Sequence, residues 1–221
     1  MFKQIFELFK SDSLHEQALN ECHEMLEISR QMFNESIKTL RQSDKADIPI
    51  DIYAMDKKIN EFERDVRRKV MTHLVVSGKN DLGSGLILVS VVIDIERIGD
   101  YTKNIYDLAL QHPRKLKGGD FEGHLNNIEN ATKEFLNETI DAFKNQDIEK
   151  SRKLMLDYKT DISSVSSEIV DSIVSGKNSS FTSDEAASLC LYARYLKRIA
   201  AHSRNLVSSI VNPFERIGYS E

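Results

Sequence analysis

Apolar residues recur every three or four positions along six long segments of this 221-residue chain. Such spacing lines one side of an α-helix, whereas a half-buried strand would alternate apolar and polar residues. Only nine glycines and three prolines interrupt the pattern. The sequence therefore predicts an all-α fold with helices at about 14–43, 50–76, 82–111, 120–145, 147–175 and 183–211.

The clearest break between the helices is "PRKLKGGD", which combines a proline, two glycines and a basic cluster. Short loops elsewhere make neighbouring helices antiparallel, so that the three helices on each side of this break form a bundle. We expect two tandem three-helix bundles: a first repeat at 10–112, a linker at 113–119 and a second repeat at 120–212.

The two halves also resemble each other in sequence. A shift of 101 positions aligns the third helix with the sixth, and the turn at 77–80 recurs at 175–178 as Ser-Gly-Lys-Asn. The residues shared under this shift are Arg97 with Arg198, Ile98 with Ile199, and Asn104 with Asn205. Apolar spacing alone would agree between any two helices, but identical polar residues and a repeated turn indicate an internal duplication.

Charge and cysteine content argue against several classes of protein. With 30 basic and 35 acidic residues, the chain lacks the basic excess that phosphate-backbone binding requires, so no nucleic-acid partner is expected. Cys22 and Cys190 form no Cys-x-x-Cys pair, which argues against a structural zinc site or a disulfide framework. The longest apolar run, 85–93, is too short to span a bilayer. We expect a cytoplasmic protein with reduced cysteines.

The chain starts with "MFKQIFELFK", whose apolar positions fit a short amphipathic helix. This segment lacks the long apolar core and the cleavage site of a signal peptide. We expect the helix to cover one end of the bundle or to pack on a partner subunit, with a weak membrane contact as the alternative.

An acidic face is predicted on the third helix. The stretch "DIERIGDYTKNI", 94–105, places Glu96, Asp100 and Asn104 at intervals of one helical turn, opposite the apolar face. The second helix carries Asp56 and Glu63 on a polar face of its own. If the two helices are neighbours, these acids converge, and their repulsion requires a compensating charge.

Two interpretations of this acidic face are open. In the first, a metal ion binds the oxygen-bearing residues, which are Glu96, Asp100, Asp56, Glu63 and Asn104. Such oxygen ligands suit hard cations and suit zinc less well. In the second, the face is solvated, and the basic neighbours Arg67, Arg97 and Lys103 balance the acids.

The start of the third helix differs from its second half. Around Val89 and Ile93 the helix is apolar on all sides, so we expect this part to be buried. Gly99 lies between the apolar and acidic faces. Because glycine inside a helix costs about 1 kcal/mol relative to alanine, its presence indicates close approach of another backbone or a ligand.

Two motifs resemble a known family. "IERIGDYTKNI", 95–105, closely resembles the signature helix of the PhoU family of phosphate-uptake regulators, which reads approximately "LERIGDxxxNI". "MDKKINEFERDV", 55–66, resembles the helix that precedes it in that family. The resemblance extends over nearly the whole chain and implies six helices in a duplicated three-helix unit.

The resemblance implies a function that the composition does not. PhoU-like proteins are cytoplasmic regulators of inorganic phosphate uptake that link a phosphate transporter to a sensor histidine kinase. We therefore expect a non-enzymatic regulator with one of these partners, a homodimer, and a location peripheral to the inner membrane through the partner. Some members bind iron or zinc clusters through E/D-x-x-x-D motifs, which Glu96 and Asp100 fit. Iron, zinc or another divalent cation is thus the implied cofactor.

The sixth helix departs from this pattern. Lys197, Ala200 and Ala201 stand where the third helix has Glu96, Gly99 and Asp100, so we expect any metal site to be confined to the first half. The fifth helix keeps three acids, which are Asp157, Asp161 and Glu168. The sixth helix instead carries basic residues that are either solvated or face an anionic partner, and these are Lys197, Arg198, His202 and Arg204.

A metal-binding helical adaptor or a metalloenzyme unrelated to phosphate is the alternative function. Redox enzymes built on carboxylate bundles use Glu-x-x-His pairs, and no histidine follows a glutamate by three positions on the acidic face. No nucleophile and base stand at a recognisable spacing, and no glycine-rich phosphate loop is present. We therefore predict no catalytic and no organic-cofactor residues.

Overall fold

The computed structural model describes residues 13–44, 48–77, 81–112, 114–177 and 180–221. Six helices account for most of these residues. Five of them are regular α-helices, which are α1 (Leu14–Gln42), α2 (Ile52–Ser77), α3 (Leu82–Gln111), α4 (Glu122–Asn145) and α6 (Ser183–Val211). The predicted all-α fold is confirmed. The amphipathic helix expected at the start of the chain lies outside the described residues.

The fifth helix, α5 (148–174), has an irregular centre. It consists of the α-helical segment Ile148–Asp157, a π-helical turn Tyr158–Ser163 and a second α-helical segment Ser164–Val174. At the turn, the backbone N–H of Ser164 donates to the carbonyl of Lys159, five residues earlier, as the wider π-helical spacing requires. The sequence pattern predicted an uninterrupted helix here and did not reveal the turn.

Polar side chains fix the starts of several helices. Ser13 and Glu16 form a reciprocal capping box at α1, and Thr182 and Glu185 form another at α6. Asp147 caps α5 by accepting a hydrogen bond from the backbone of Lys150. The predicted start of α4 at 120 is replaced by a short 3₁₀ turn, Gly119–Phe121, so α4 begins at Glu122.

The six helices form two bundles that are packed side by side. Helices α1, α2 and α3 surround one part of the apolar core, and α4, α5 and α6 surround the other. The third helices of the two repeats, α3 and α6, pack along each other and join the bundles. Ile95, Ile98 and Ile105 of α3 are fully buried, as are Leu196 and Ile199 of α6. No helix in the described ranges is long and apolar enough to cross a membrane.

A buried arginine also connects the repeats. Arg41, near the end of α1, is 8% exposed, and its Nε lies 2.7 Å from Oε1 of Glu129 in α4. The hydroxyl of Tyr192 in α6 donates to the same oxygen at 2.6 Å. Arg41 also pairs with Glu122 and donates to the backbone carbonyl of Leu116 in the linker. One guanidinium therefore links α1, the linker and α4, and reaches α6 through Glu129.

The expectation that the start of α3 is buried all round was wrong. Leu82, Leu86 and Ile93 are exposed, because no described helix covers this side of α3. Met71 and Val75, near the end of α2, are exposed as well. We refer to these five residues as the apolar stripe. The helical wheel correctly placed the apolar residues around α3, but it carries no information about what packs on each side.

Candidate functional site

The predicted acids come together where α2 and α3 pack against each other. Their close packing depends on Gly99, since a Cβ atom at this position would lie 2.8 Å from Cδ1 of Ile59 in α2. The close approach predicted at Gly99 is present, but the group that approaches is the side chain of Ile59 and not the backbone or ligand that was expected. Asp56 and Glu63 of α2 then face Glu96 and Asp100 of α3.

Lys103 connects the acids of the two helices. Its Nζ lies 2.9 Å from Oδ2 of Asp56 and 3.2 Å from Oδ1 of Asp100. Burial lowers the pKa of Lys103, but the hydrogen bonds to these two carboxylates outweigh burial and raise the pKa above its usual value. The amino group therefore stays charged and bridges α3 to α2.

Two arginines neutralise acids on their own helices. Arg97 Nη1 lies 2.9 Å from Oδ2 of Asp100, and its Nε lies 3.5 Å from Oε2 of Glu96. Arg67 Nη2 lies 2.7 Å from Oε1 of Glu63. Each of the four acids therefore has a basic group within ion-pair distance. We use the name charged cluster for seven residues, which are Asp56, Glu63, Glu96, Asp100, Arg67, Arg97 and Lys103.

Glu96 occupies the least exposed position in the cluster. Its side chain is 11% exposed. Burial, followed by the neighbouring negative charge of Asp100, raises the pKa of Glu96 to about 7, and Glu63 adds to this effect. Arg97 acts in the opposite direction and is too weak to cancel these effects. At neutral pH a substantial fraction of Glu96 is therefore protonated, which relieves the repulsion among the acids.

The charged cluster as arranged does not fit a bound metal ion. In the described parts of the chain, no three His, Cys, Asp or Glu side chains lie close enough to hold one ion. The space between Asp56 and Asp100 contains the Lys103 amino group. Among the described residues, Asn104 makes none of the cluster's ion pairs or hydrogen bonds, although it was a candidate ligand. Iron, zinc or another divalent cation at these residues stays a prediction.

The second repeat differs at the equivalent surface. Lys197 of α6, at the position of Glu96, donates to the hydroxyl of Ser167 in α5 at 2.9 Å. Ala201 takes the place of Asp100 and provides no charge. The acids of α5 lie on the side that faces α4. Asp157 and Asp161 line a cleft between the two helices. Oε1 of Glu168 lies 3.8 Å from Nε2 of His124 in α4. The two repeats therefore share a fold without sharing this cluster.

Basic residues of α6 are used within the chain. His202 Nδ1 lies 2.7 Å from Oδ1 of Asp94 in α3, and Asn205 donates to the same oxygen at 2.8 Å. Arg198 contacts Nε2 of His202 and the hydroxyl of Tyr101. On this face, Asp94 of the first repeat accepts contacts from His202 and Asn205, whereas an anionic partner molecule stays a prediction.

Sequence reasoning did not single out Asp94. Its signal was present, since an aspartate within the apolar run "VVIDI" requires a partner when the run is buried. Asn205 was noted as a repeated residue, but its contact with Asp94 depends on how the two repeats pack. The partners of Arg41 were missed for the same reason, because they lie more than 70 positions away in the chain.

The fold defines a class of helical protein in which a three-helix unit occurs twice and the third helices join the units. The PhoU domain model matches the chain at residues 22–109 and again at 125–210. The chain therefore belongs to the PhoU family, and each match covers one of the two bundles. A comparison with curated proteins returns no match.

Two solved structures resemble the fold closely. PhoU from Pseudomonas aeruginosa superimposes with a TM-score of 0.77 at 18% sequence identity, over 88% of this chain and 94% of that one. The phosphate transport system regulatory protein PhoU from Streptococcus pneumoniae superimposes with a TM-score of 0.70 at 17% identity, over 89% of this chain and 92% of that one. At this level of identity the likeness establishes the shared fold.

Proposed function

We propose that this protein is a non-enzymatic regulator of inorganic phosphate uptake and of phosphate-starvation signalling. It acts in the cytoplasm through contacts with a phosphate transporter, a sensor histidine kinase or both. The observation that carries the proposal is the PhoU domain, which matches twice and covers both bundles. The S. pneumoniae protein of the same fold is described as a phosphate transport system regulatory protein, which supports the same role.

The exposed chemistry of the first repeat suits a protein contact. Leu82, Leu86 and Ile93 follow one another at spacings of four and seven residues, which places them on one face of α3. Asp100 continues the same face seven residues later. The α3 part of the apolar stripe therefore continues into the charged cluster. An exposed apolar area bordered by charged residues is typical of a protein interface.

The catalytic alternative has less support. In the charged cluster each acid lies within ion-pair distance of a basic group, and no nucleophile adjoins the cluster at a recognisable spacing. A regulator that works by binding needs no turnover. We propose that the protein acts as a homodimer, in keeping with the expectation from the family resemblance.

The test is a pull-down of the tagged full-length chain from cells grown in high and in low phosphate. We expect it to recover a phosphate transporter component or its sensor histidine kinase, in an amount that changes with phosphate supply. The variant Leu86→Ser with Val75→Ser should reduce recovery at least several-fold, because it makes the apolar stripe polar.

A matched control is available in the second repeat. Leu156 and Val174 are exposed to a similar or greater degree and lie outside the apolar stripe. Changing both to serine should leave recovery unchanged. The proposal fails if neither protein is recovered under either condition. Equal losses from both pairs of substitutions would remove the stripe from the proposed contact.

A further inference from the structure

The charged cluster contains an amino group where two acids from different helices meet. Lys103 extends from α3 three residues after Asp100, and its Nζ lies within 3.2 Å of a carboxylate oxygen on each helix. Its side chain is only 23% exposed. A lysine ammonium is a compact point charge with three donors, so it can serve both carboxylates at once.

The two arginines of the charged cluster do not bridge the helices as Lys103 does. Arg97 also pairs with Asp100, but its side chain is 52% exposed and its ion pairs stay on α3. Arg67 likewise pairs within α2. Among the described residues of the charged cluster, the cation that connects α3 to α2 is therefore Lys103. Along the same two helices, the hydroxyl of Tyr53 also crosses to Asp107, but it brings no charge.

The second repeat contains a similar connection. Lys197 extends from α6 to α5 and donates to Ser167. In both repeats a lysine of the third helix thus reaches the second helix. Lys103 and Lys197 do not occupy equivalent positions under the shift of 101, since Arg204 is the counterpart of Lys103. The shared arrangement therefore rests on two separate side chains.

We propose that Lys103 is the built-in cation of the charged cluster, occupying the position that a divalent metal ion would need between Asp56 and Asp100. The ammonium neutralises both carboxylates and holds α2 on α3. A divalent ion can bind these two residues only by displacing it, and the approaching ion is also repelled by the lysine charge at this short distance. The wild-type chain therefore keeps this surface assembled without metal.

The test compares two variants that remove one positive charge from the same carboxylate. Lys103→Met keeps the length of the side chain and removes the bridging charge. Arg97→Met removes a charge that does not reach α2. After treatment with a chelator, each protein is titrated with Mn²⁺ and with Zn²⁺ by calorimetry, and its thermal unfolding is followed with and without each ion.

We expect wild type to show no Tm shift with either ion at concentrations that do not aggregate the protein. Lys103→Met should unfold at a lower temperature than wild type, because the bridge between α2 and α3 is lost. It should also bind Mn²⁺ at least about tenfold more tightly, because the Lys103 ammonium no longer competes with the ion. Its Tm should be restored by Mn²⁺. Adding Asp100→Asn to this variant should abolish the gain. Arg97→Met should show neither the gain in affinity nor the rescue.

Two results would overturn the proposal. One is tight, stoichiometric binding of either ion by wild type that is lost in Asp100→Asn. The other is equal affinity of the Lys103→Met and Arg97→Met variants for Mn²⁺. If Lys103→Met does not fold, acetylation of lysines in wild type, read by mass spectrometry, gives the answer. Lys103 should stay protected when Mn²⁺ is added, whereas displacement by the ion would expose it to the reagent.

Discussion

The two repeats use one architecture to present different surfaces. In the first, α2 and α3 are held together by charge, with four acids and three basic groups at the contact. In the second, the described residues of α5 and α6 are joined by hydrogen bonds from Lys197 to the hydroxyl of Ser167 and from the hydroxyl of Ser166 to the backbone carbonyl of Ala193. The apolar faces agree, since Ile98 and Ile199 are both fully buried. The core is therefore the duplicated part, and the outer faces have diverged.

The two repeats contribute different contacts to the folded protein. The second repeat supplies Glu129 and His202 to contacts with the first repeat, and Tyr192 holds the Glu129 carboxylate from within the second repeat. The first repeat supplies the exposed apolar stripe and the charged cluster. We infer that the two repeats divide these roles: the joint between them depends on Glu129 and His202 of the second repeat, whereas the charged cluster is confined to the first. Three substitutions test this division, beginning with the largest expected effect.

The joint between the repeats is tested by Arg41→Ala. Arg41 is the buried cation of this joint, and its side chain is 8% exposed. The substitution leaves the carboxylate of Glu129 largely buried without its cationic partner, which we expect to cost about 3–5 kcal/mol of unfolding free energy. Urea denaturation followed by circular dichroism measures the loss.

The control for this variant is Arg30→Ala, which removes an exposed ion pair with Glu27 on the same helix. Such pairs contribute about 0–1 kcal/mol. If both variants lose a similar amount of unfolding free energy, Arg41 does not hold the two repeats together.

The contact at Gly99 is tested by replacing it with the alanine found at the equivalent position, Ala200. Alanine is the better helix former by about 1 kcal/mol. The added Cβ would nevertheless lie 2.8 Å from Cδ1 of Ile59, and overpacking of a core costs about 1–3 kcal/mol. We expect Gly99→Ala to destabilise the protein by about 1 kcal/mol in thermal and urea unfolding.

A double-mutant cycle isolates the cause. Ile59→Val removes Cδ1, so Gly99→Ala in that background should be neutral or stabilising. If the alanine is equally unfavourable in both backgrounds, the close approach of Ile59 is not the reason for the glycine.

The electrostatic character of the cluster is tested by Glu96→Gln. The pKa of Glu96, about 7 in the folded protein, lies above its ordinary value of 4.5. The folded state therefore holds this proton more tightly, and ionising Glu96 reduces stability as pH rises between these two values. Above pH 7 the variant should be more stable than wild type by about 1 kcal/mol, after allowing for screening by solvent.

Near pH 4.5 this advantage should disappear, because wild-type Glu96 is then protonated as well. Unfolding is measured between pH 4.5 and pH 8 with a chelator present. The control is Asp100→Asn, which removes the acceptor of two ion pairs and should lower stability at pH 8. An advantage for Glu96→Gln that does not change with pH would mean that the gain has another origin.

Most of the fold follows from local sequence information. The ends of the six helices lie close to the predicted positions because apolar spacing, glycines and prolines act over a few residues. The confirmed duplication was visible in Arg97 and Arg198 and in the repeated turn. The π-helical turn in α5 was missed because it depends on a shift of backbone hydrogen bonds that side-chain spacing does not encode.

The site was predictable only in part. Helical spacing placed Asp56, Glu63, Glu96 and Asp100 on facing surfaces, and the structure brings them together. Sequence also named Lys103 as a charge that balances the acids, but the reach of its amino group to Asp56 depends on the distance between helices. The exposure of the apolar stripe could not be predicted, because burial requires knowledge of which helices lie alongside.

The π-helical turn at Tyr158–Ser163 has a consequence for any exchange of parts between the repeats. A π turn accommodates one residue more than the α-helix around it, so side chains beyond it are rotated by about 100° relative to a straight rod. Grafting the acids of α2 onto α5 would therefore require deletion of one residue as well as new side chains. Because of this one extra residue, α2 and α5 cannot replace each other in the two repeats without a change in length.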